Sequence, residues 1–374
     1  MSKSMETVMA SSNLFVDIFH LDVVWVGDYA DYLLPLNDRI NRTVLLAHNE
    51  QNVEAGMSLG RLVAVPQAAD FGVMFTRMDI LNKYGFSRPP QTWTEMESML
   101  SAVVATERKS NPSFIGYIGQ LSRYEGMTCN VLEWLKSESA GSILEPNRTL
   151  SLLDPRLPNG QRAQNIANRW QTWVRNGWVA VGHDEMSALR EWTRGNALFH
   201  RNWPFVGAQT RAARVSWPWA VTKLPGAKPG MSGAALGGWM WGVSKATKNP
   251  EAAVKVLEWL MSVQFQKIRT MTYGSLPTVK ALYDDPDVCT IIGDCNLFRD
   301  MQIAHRPSGA AGKEYQNVSI SIYDSWYSIV TGAMSATKGL ALMNREIADA
   351  LGIDILGPPT NIHTRTLLPS SLSR

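Results

Sequence analysis

The feature that most constrains the fold is the alternation of short apolar runs with amphipathic segments along the chain. Apolar runs of strand length occupy residues 14–25, 61–65 and 71–75, whereas residues 95–107 and 160–177 carry apolar side chains at helical spacing. Strands that alternate with helices favour parallel sheets joined by crossover connections, so the sequence predicts the α/β class. No internal repeat of about 20–50 residues is visible, which excludes a solenoid.

The length and composition indicate a folded protein with more than one small core. A chain of 374 residues is expected to form two domains or one large α/β unit. Its 45% hydrophobic and 18% charged residues are typical of a globular protein. The net charge of +3 is small and the basic residues are scattered, so neither nucleic acid nor a membrane surface is expected as a partner. No apolar run approaches the ~20 residues that span a bilayer.

The chain is rich in tryptophan and poor in cysteine. Most of its 14 tryptophans, including Trp170, Trp173 and Trp259 on helix faces, are expected in the core, and the rest are expected to line a ligand cleft. The three cysteines show no pattern of a disulfide framework or a zinc site. Cys289 and Cys295 are close enough in sequence to pair in an oxidising compartment, and the sequence leaves open whether they do.

Catalytic motifs are weak. The GMSLG string at residues 56–60 matches GxSxG, but a polar stretch precedes it and a strand-like run follows it, whereas a nucleophile elbow joins a strand to a helix. The sequence contains no phosphate-binding loop and no histidine pair with metal-ligand spacing. A glycoside-acting enzyme stays open as an alternative, because paired carboxylates can meet in space; its candidates would be Asp22, Asp70 and Glu125.

Several consecutive segments resemble one protein family. They are VPQAADFGVMF at 65–75, DILNKYGF at 79–86, PQTW at 90–93, YEG at 124–126 with EW at 133–134, GNALFHRNWPF at 195–205, LPG at 224–226, GGW at 237–239 and RPS at 306–308. In this order they resemble the family 1 extracellular solute-binding proteins of ABC sugar importers. The resemblance runs from about residue 17 to about residue 351, and the maltose- and trehalose-binding branch fits best.

The resemblance implies a fold and a division of the chain. The fold would be the two-lobed, maltose-binding-protein-like (type II) periplasmic-binding-protein fold, with a hinge and a ligand cleft between the lobes. Residues 1–74 and 240–297 would form the N-terminal lobe, residues 75–239 and 298–352 the C-terminal lobe, and residues 353–374 a mobile tail. Members of the family open with a signal segment and a strand–helix–strand unit that this sequence is expected to lack, so a truncated, non-functional remnant is a further alternative.

The resemblance also implies a function. The chain would capture a di- or oligosaccharide by hinge closure and deliver it to the membrane permease subunits of an ABC transporter, without catalysis, metal or cofactor. It would act as a monomer outside the cytoplasm.

The candidate ligand-binding residues follow from what a sugar presents: apolar faces that stack on aromatic rings, and hydroxyls that need fixed polar partners. The resemblance places them at Asp22, Trp25, Asp70, Tyr124, Glu125, Trp203, Gly238, Trp239 and Arg306. Asp22, Asp70 and Glu125 would accept hydrogen bonds from sugar hydroxyls. Arg306 would hold sugar hydroxyls with two of its N–H groups, as a bidentate clamp. Trp203 and Trp239 would stack on the sugar, and Gly238 would let the backbone approach it. For Trp25 core packing is an equal alternative, and His20 is interpreted as structural.

Overall fold

The computed structural model describes Met9 and residues 16–58, 60–145, 150, 157–299 and 301–353. The predicted mobile tail lies outside the described residues, except for its first residue, Ile353. The strands are β1 (Ile18–Asp22), β2 (Met57–Ser58), β3 (Arg61–Leu62), β4 (Val65–Phe71), β5 (Val73–Arg77), β6 (Ile115–Ile118), β7 (Val179–Ala180), β8 (Ala197–Asn202), β9 (Trp219–Thr222), β10 (Ala234–Val243) and β11 (Ile303–Ala304).

The helices fall between and after these strands. They are α1 (Val26–Tyr29), α2 (Arg42–Ala47), α3 (Glu50–Glu54), α4 (Met78–Lys83), α5 (Trp93–Glu107), α6 (Glu125–Ser137), α7 (Pro158–Arg175), α8 (Glu185–Thr193), α9 (Phe205–Ala212), α10 (Pro250–Leu260), α11 (Val263–Tyr273), α12 (Pro286–Ile292), α13 (Cys295–Arg299), α14 (Ser308–Ala311), α15 (Tyr315–Val330) and α16 (Ala336–Leu351). Short 3₁₀ helices occupy Val23–Trp25, Ala30–Tyr32, Lys280–Asp284 and Gly312–Glu314.

The strands form two main sheets, and the chain crosses between them. In the first sheet, β10 pairs with β1, β4 and β11. The second sheet has the order β7-β6-β8-β5-β9. Gly72 alone separates β4 of the first sheet from β5 of the second. A Cβ atom at Gly72 would lie 1.8 Å from Glu133 Oε1, so only glycine fits at this crossing.

The prediction of parallel sheets is wrong for most strand pairs. β10 runs antiparallel to both β1 and β4, and β5 runs antiparallel to both β8 and β9. Among the strands of the described residues, only the pairs of β6 with β7 and β8, and of β10 with β11, are parallel. The reason is the crossing: β10 returns from the second sheet and therefore enters the first against the direction of β1 and β4.

The division into lobes remains a prediction. Its boundary at 74/75 falls inside β5, and its boundary at 239/240 falls inside the continuous strand β10. The mixed α/β architecture itself agrees with the predicted class.

Tryptophans fill much of the core. Trp134 and Trp170 are fully buried and stack with ring centroids 3.9 Å apart, and Trp173 is also fully buried. The expectation for Trp259 is wrong: its side chain is 54% exposed, because it lies on the outer face of α10 and contacts Phe265 of α11.

The question of the cysteine pair is settled by the structure. Cys289 and Cys295 form a disulfide between α12 and α13, and Cys129 is a buried free thiol.

Candidate functional site

A cleft of about 380 Å³ brings together all the predicted site residues except Trp25. Elements of both sheets contribute to it. The predicted residues that line it are Asp22, Asp70, Tyr124, Glu125, Trp203, Gly238, Trp239 and Arg306, and the sequence did not single out Gly126, Cys129, Glu185, Phe205 or Gly237.

The ends of secondary-structure elements position the polar groups of the cleft. Asp22 is the last residue of β1, where its Oδ1 accepts a hydrogen bond from the backbone N of Val24 (3.1 Å) and so caps the following 3₁₀ helix. Glu125 is the first residue of α6, and Arg306 follows β11. Asp70 lies near the end of β4, directly opposite Gly237 of β10.

Arg306 connects the two sides of the cleft. Its Nη2 donates to Asp22 Oδ1 and its Nη1 donates to Glu125 Oε1, both at 3.2 Å. Its Nε donates to the backbone O of Leu236, also at 3.2 Å. The Arg306 side chain is only 5% exposed, so the guanidinium is held in place. These contacts use part of its donors and leave others for a ligand.

Glu125 is already satisfied within the protein. Its Oε1 accepts from Arg306 and from the Tyr315 hydroxyl, and its Oε2 accepts from the Ser319 hydroxyl. Burial raises the pKa of this carboxyl, and the Arg306 guanidinium opposes that effect. In this conformation Glu125 therefore orients Arg306, and its oxygens are less available to a ligand than predicted.

Asp70 is the carboxyl most open to a ligand. Within the described residues no hydrogen bond or ion pair reaches its side chain, although it lines the cleft. Burial raises the pKa of Asp70 to about 7, with the positive charge of Arg269 opposing and the negative charge of Asp22 adding to the shift. Asp70 is half-buried, and a carboxyl that is partly removed from water without gaining a partner is destabilising, so a bound hydroxyl would satisfy a group that the protein leaves unpaired.

Trp203 lies on a support built from charged groups. The Arg201 guanidinium carbon is 4.3 Å from the centre of its ring, and its Nε1 lies 3.4 Å from Glu185 Oε1. The Tyr124 hydroxyl donates to the other oxygen of Glu185 at 2.7 Å. A Cβ atom at Gly237 would lie 3.0 Å from the Trp203 ring, which explains a glycine there.

Trp239 is 36% exposed although it lines the cleft. It belongs to β10 and lies opposite Asp22 of β1. The preceding Gly238 has a φ of +113°, and a Cβ atom there would lie 2.2 Å from the backbone O of Ala68. Only glycine permits this close approach, and the ladder is irregular immediately after it, between Trp239 and Met240.

Trp25 is the one predicted site residue that does not line the cleft. Its ring meets Tyr29 edge-on with centroids 6.4 Å apart, and it packs against the main core. The core alternative therefore describes its position better.

Some cleft residues lacked a sequence signal. Phe205 stands in the same segment as Trp203, two residues further on, and could have been inferred. Glu185 begins α8, where an acidic residue is common, so only its contacts with Tyr124 and Trp203 reveal it. The GMSLG string gives no catalytic feature, because Ser58 lies in β2, which pairs antiparallel with β3.

Comparisons with known proteins identify the family of the chain. The sequence profile of the family "Bacterial extracellular solute-binding protein" matches residues 2–267. A "Probable ABC transporter-binding protein" of Deinococcus radiodurans is 33% identical over 341 residues, which cover 90% of this chain and 80% of that protein. In the described part of the chain, no helix has the length and apolarity needed to cross a membrane.

Solved structures share the fold. The structure "Maltose bound T. maritima MalE3" is 26% identical, with a TM-score of 0.80 over 94% of this chain and 88% of that chain. The cyclic alpha-maltosyl-1,6-maltose binding protein from Arthrobacter globiformis is 19% identical, with a TM-score of 0.75 over 94% of this chain and 88% of that chain. Its likeness concerns the fold alone. Given the match to the family profile over most of its length, the chain belongs to the family 1 bacterial extracellular solute-binding proteins of ABC importers.

Proposed function

We propose that this protein binds a di- or oligosaccharide of the maltose or trehalose type in the cleft and catalyses no reaction on it. The observation that carries the proposal is the combination of the Trp203 and Trp239 rings with the unpaired carboxyl of Asp70 in one cleft. Aromatic rings suit the apolar faces of sugar rings, and the carboxyl suits a hydroxyl. The described residues contain no group of three metal-binding side chains.

The similar structures support a sugar ligand. The T. maritima protein was solved with maltose, and the A. globiformis protein is described as binding cyclic alpha-maltosyl-1,6-maltose. For this chain the proposed contacts are Asp70 and Asp22 as hydroxyl acceptors, Arg306 as a donor, and Trp203 and Trp239 as stacking surfaces. Tyr124 and Gly238 complete the wall, and Glu125 orients Arg306.

The proposed cycle is hinge closure. Residues 1–74 with 240–297 and residues 75–239 with 298–352 would move as lobes about the crossings at Gly72 and β10, and a bound sugar would favour the closed arrangement. The closed receptor, a monomer, would then dock on the permease subunits of an ABC importer. An extracytoplasmic location agrees with the Cys289–Cys295 disulfide, because such bonds persist in oxidising compartments.

The test is a thermal melt followed by tryptophan fluorescence, alone and with trehalose, maltose, sucrose or glucose. A sugar at about 100 times its dissociation constant should add ~2.7 kcal/mol of stability. Chromatography of the same mixtures measures whether the sugar is consumed. An upward shift without consumption supports the proposal, whereas consumption would favour the glycoside-acting alternative.

A matched pair of tryptophan variants locates the site. Trp203→Ala should abolish the sugar-dependent shift, because Trp203 lines the cleft. Trp259→Ala removes an equally large side chain that is 54% exposed and lies on α10, so it should leave the shift intact. A cooperative melt that none of the sugars moves would refute the proposed ligand class.

A further inference from the structure

The His20 ring lies against the proposed stacking surface. His20 is in β1 and pairs with Trp241 of β10, while Asp22 pairs with Trp239. Side chains two residues apart in a strand share a face of the sheet. The His20 and Trp239 rings are stacked, with centroids 4.5 Å apart and planes 25° apart. The Trp241 ring is also close to His20, with centroids 4.7 Å apart.

A hydrogen bond fixes the His20 ring. Its Nε2 lies 2.9 Å from Oε1 of Gln67, a buried residue of β4. The backbone O of Gln67 in turn accepts from Gln266 Nε2 at 2.8 Å and from Arg269 Nη1 at 3.4 Å. Through these contacts the imidazole is tied to β4 and to α11. Partial burial lowers the pKa of His20, with the Gln67 hydrogen bond opposing and the charge of Arg269 adding to the shift.

The stack leaves one side of Trp239 for a ligand. His20 covers one face of the indole. Trp239 is nevertheless 36% exposed and lines the cleft, so part of its indole stays available to a ligand. A large ring on the glycine-preceded segment of β10 would otherwise be free to rotate. Holding it in the binding orientation lowers the entropic cost of binding.

We propose that His20 is a positioning residue for ligand binding: it holds the Trp239 ring as a pre-oriented platform in the cleft. This rests on the proposed function, because it assigns Trp239 to sugar stacking. It also changes the sequence-based interpretation of His20, which was structural. It implies that the sugar unit above Trp239 presents an apolar pyranose face, and that affinity there depends on a residue that need not touch the sugar.

The experiment is a titration of maltose and of trehalose into the full chain and its variants by calorimetry. His20→Ala should weaken binding about three- to tenfold, the cost expected for immobilising one large side chain on binding. His20→Phe, which keeps the stack but loses the Gln67 contact, should recover most of the affinity. In a Trp239→Ala background, His20→Ala should have no further effect, since the platform is already gone. Thermal melts of each variant check that it is folded.

The outcomes separate this inference from the proposed function. If the wild-type chain binds neither sugar, the proposed function fails and this inference fails with it. If the wild type binds but His20→Ala binds equally well, only the positioning role is overturned. The positioning role is also overturned if His20→Phe binds the sugar as weakly as His20→Ala does. It is overturned as well if His20→Ala weakens binding by the same factor with and without Trp239. Rescue by phenylalanine together with the loss of effect in the Trp239→Ala background supports the assignment.

Discussion

Glu133→Gln would break an ion pair that lies at the junction of the two sheets. Glu133 of α6 and Arg201 of β8 are both 0% exposed. Arg201 Nε donates to Glu133 Oε2 at 2.8 Å and Arg201 Nη2 donates to Glu133 Oε1, which gives a bidentate pair. Glu133 Oε1 also accepts from the backbone N of Ala235 in β10 at 3.0 Å, and Arg201 Nη1 donates to Gln120 Oε1 at 2.6 Å.

The magnitude follows from the complete burial of both groups. Burial raises the pKa of Glu133, and the pair stays ionised because the guanidinium faces the carboxylate with two N–H groups. Removing one charge leaves Arg201 buried without a counter-ion, which costs about 3–5 kcal/mol of unfolding free energy. At about 2.1 cal/mol/K of unfolding entropy per residue, a chain of 374 residues loses roughly 1.3 °C per kcal/mol, so the melting temperature should fall by about 4–6 °C.

The assay is a thermal melt of Glu133→Gln beside Glu251→Gln. Glu251 forms an ion pair with Arg39 at 3.1 Å, but the two side chains are 80% and 40% exposed. Glu251→Gln should therefore lower the free energy of unfolding by no more than about 1 kcal/mol. A double variant, Glu133→Leu with Arg201→Met, should be less destabilised than Glu133→Gln alone, because no charge remains buried.

Equal melting temperatures for Glu133→Gln and Glu251→Gln would refute this reasoning. That result would mean that the Glu133 carboxyl is already neutral in the wild type, so that the amide replaces it without loss of charge. Trp203 provides a second readout, because Arg201 lies under its ring, and its fluorescence should change only in the Glu133 variant.

Three further predictions concern the crossing, the cleft and the disulfide. Gly72→Ala should lower the melting temperature by several degrees, because the new Cβ atom would lie 1.8 Å from Glu133 Oε1 and displace that carboxylate. A melting temperature equal to that of the wild type would contradict this prediction. Burial raises the pKa of Asp70 from 3.8 to about 7, so ionisation costs wild-type stability as the pH rises from about 4 to 7. The melting temperature of Asp70→Asn minus that of the wild type should therefore increase over this range and level off above it; a pH-independent difference would contradict the prediction. Replacing Cys289 and Cys295, six positions apart, by serine should lower the free energy of unfolding by about 2 kcal/mol, the value expected for a short closed loop. A reductant should lower the melting temperature of the wild type but not that of the serine variant.

Local patterns in the sequence predicted much of the secondary structure. The helix predicted at 95–107 is α5, and the Thr92 side chain caps it by accepting a hydrogen bond from the backbone N of Glu95 at 3.1 Å. α7 ends before Gly177, whose φ is +71°. These features depend on contacts within a few residues, so the sequence contains them directly. The helices α15 and α16 were not predicted, and they pack against α6 and α7 from far along the chain.

In the candidate site, the sequence predicted which residues line the cleft but not how they contact one another. The family resemblance named Asp70, Trp203 and Trp239, because each stands in a short segment that resembles the family. The role of Arg306 depends on partners 284 and 181 positions away, Asp22 and Glu125, and no local pattern encodes such pairs. The same contacts show that Glu125 is satisfied within the protein, which its position after Tyr124 did not reveal.

What the sequence by itself determined was the α/β class, the family and the types of residue in the cleft, because hydrophobic period and short motifs are local properties. The tertiary structure decided the rest. It made β10 antiparallel to β1 and β4, joined Cys289 to Cys295, and placed His20 on Trp239. Each of these depends on which distant segments the crossing at Gly72 and the return through β10 bring into contact, and that is a property of the packed chain as a whole.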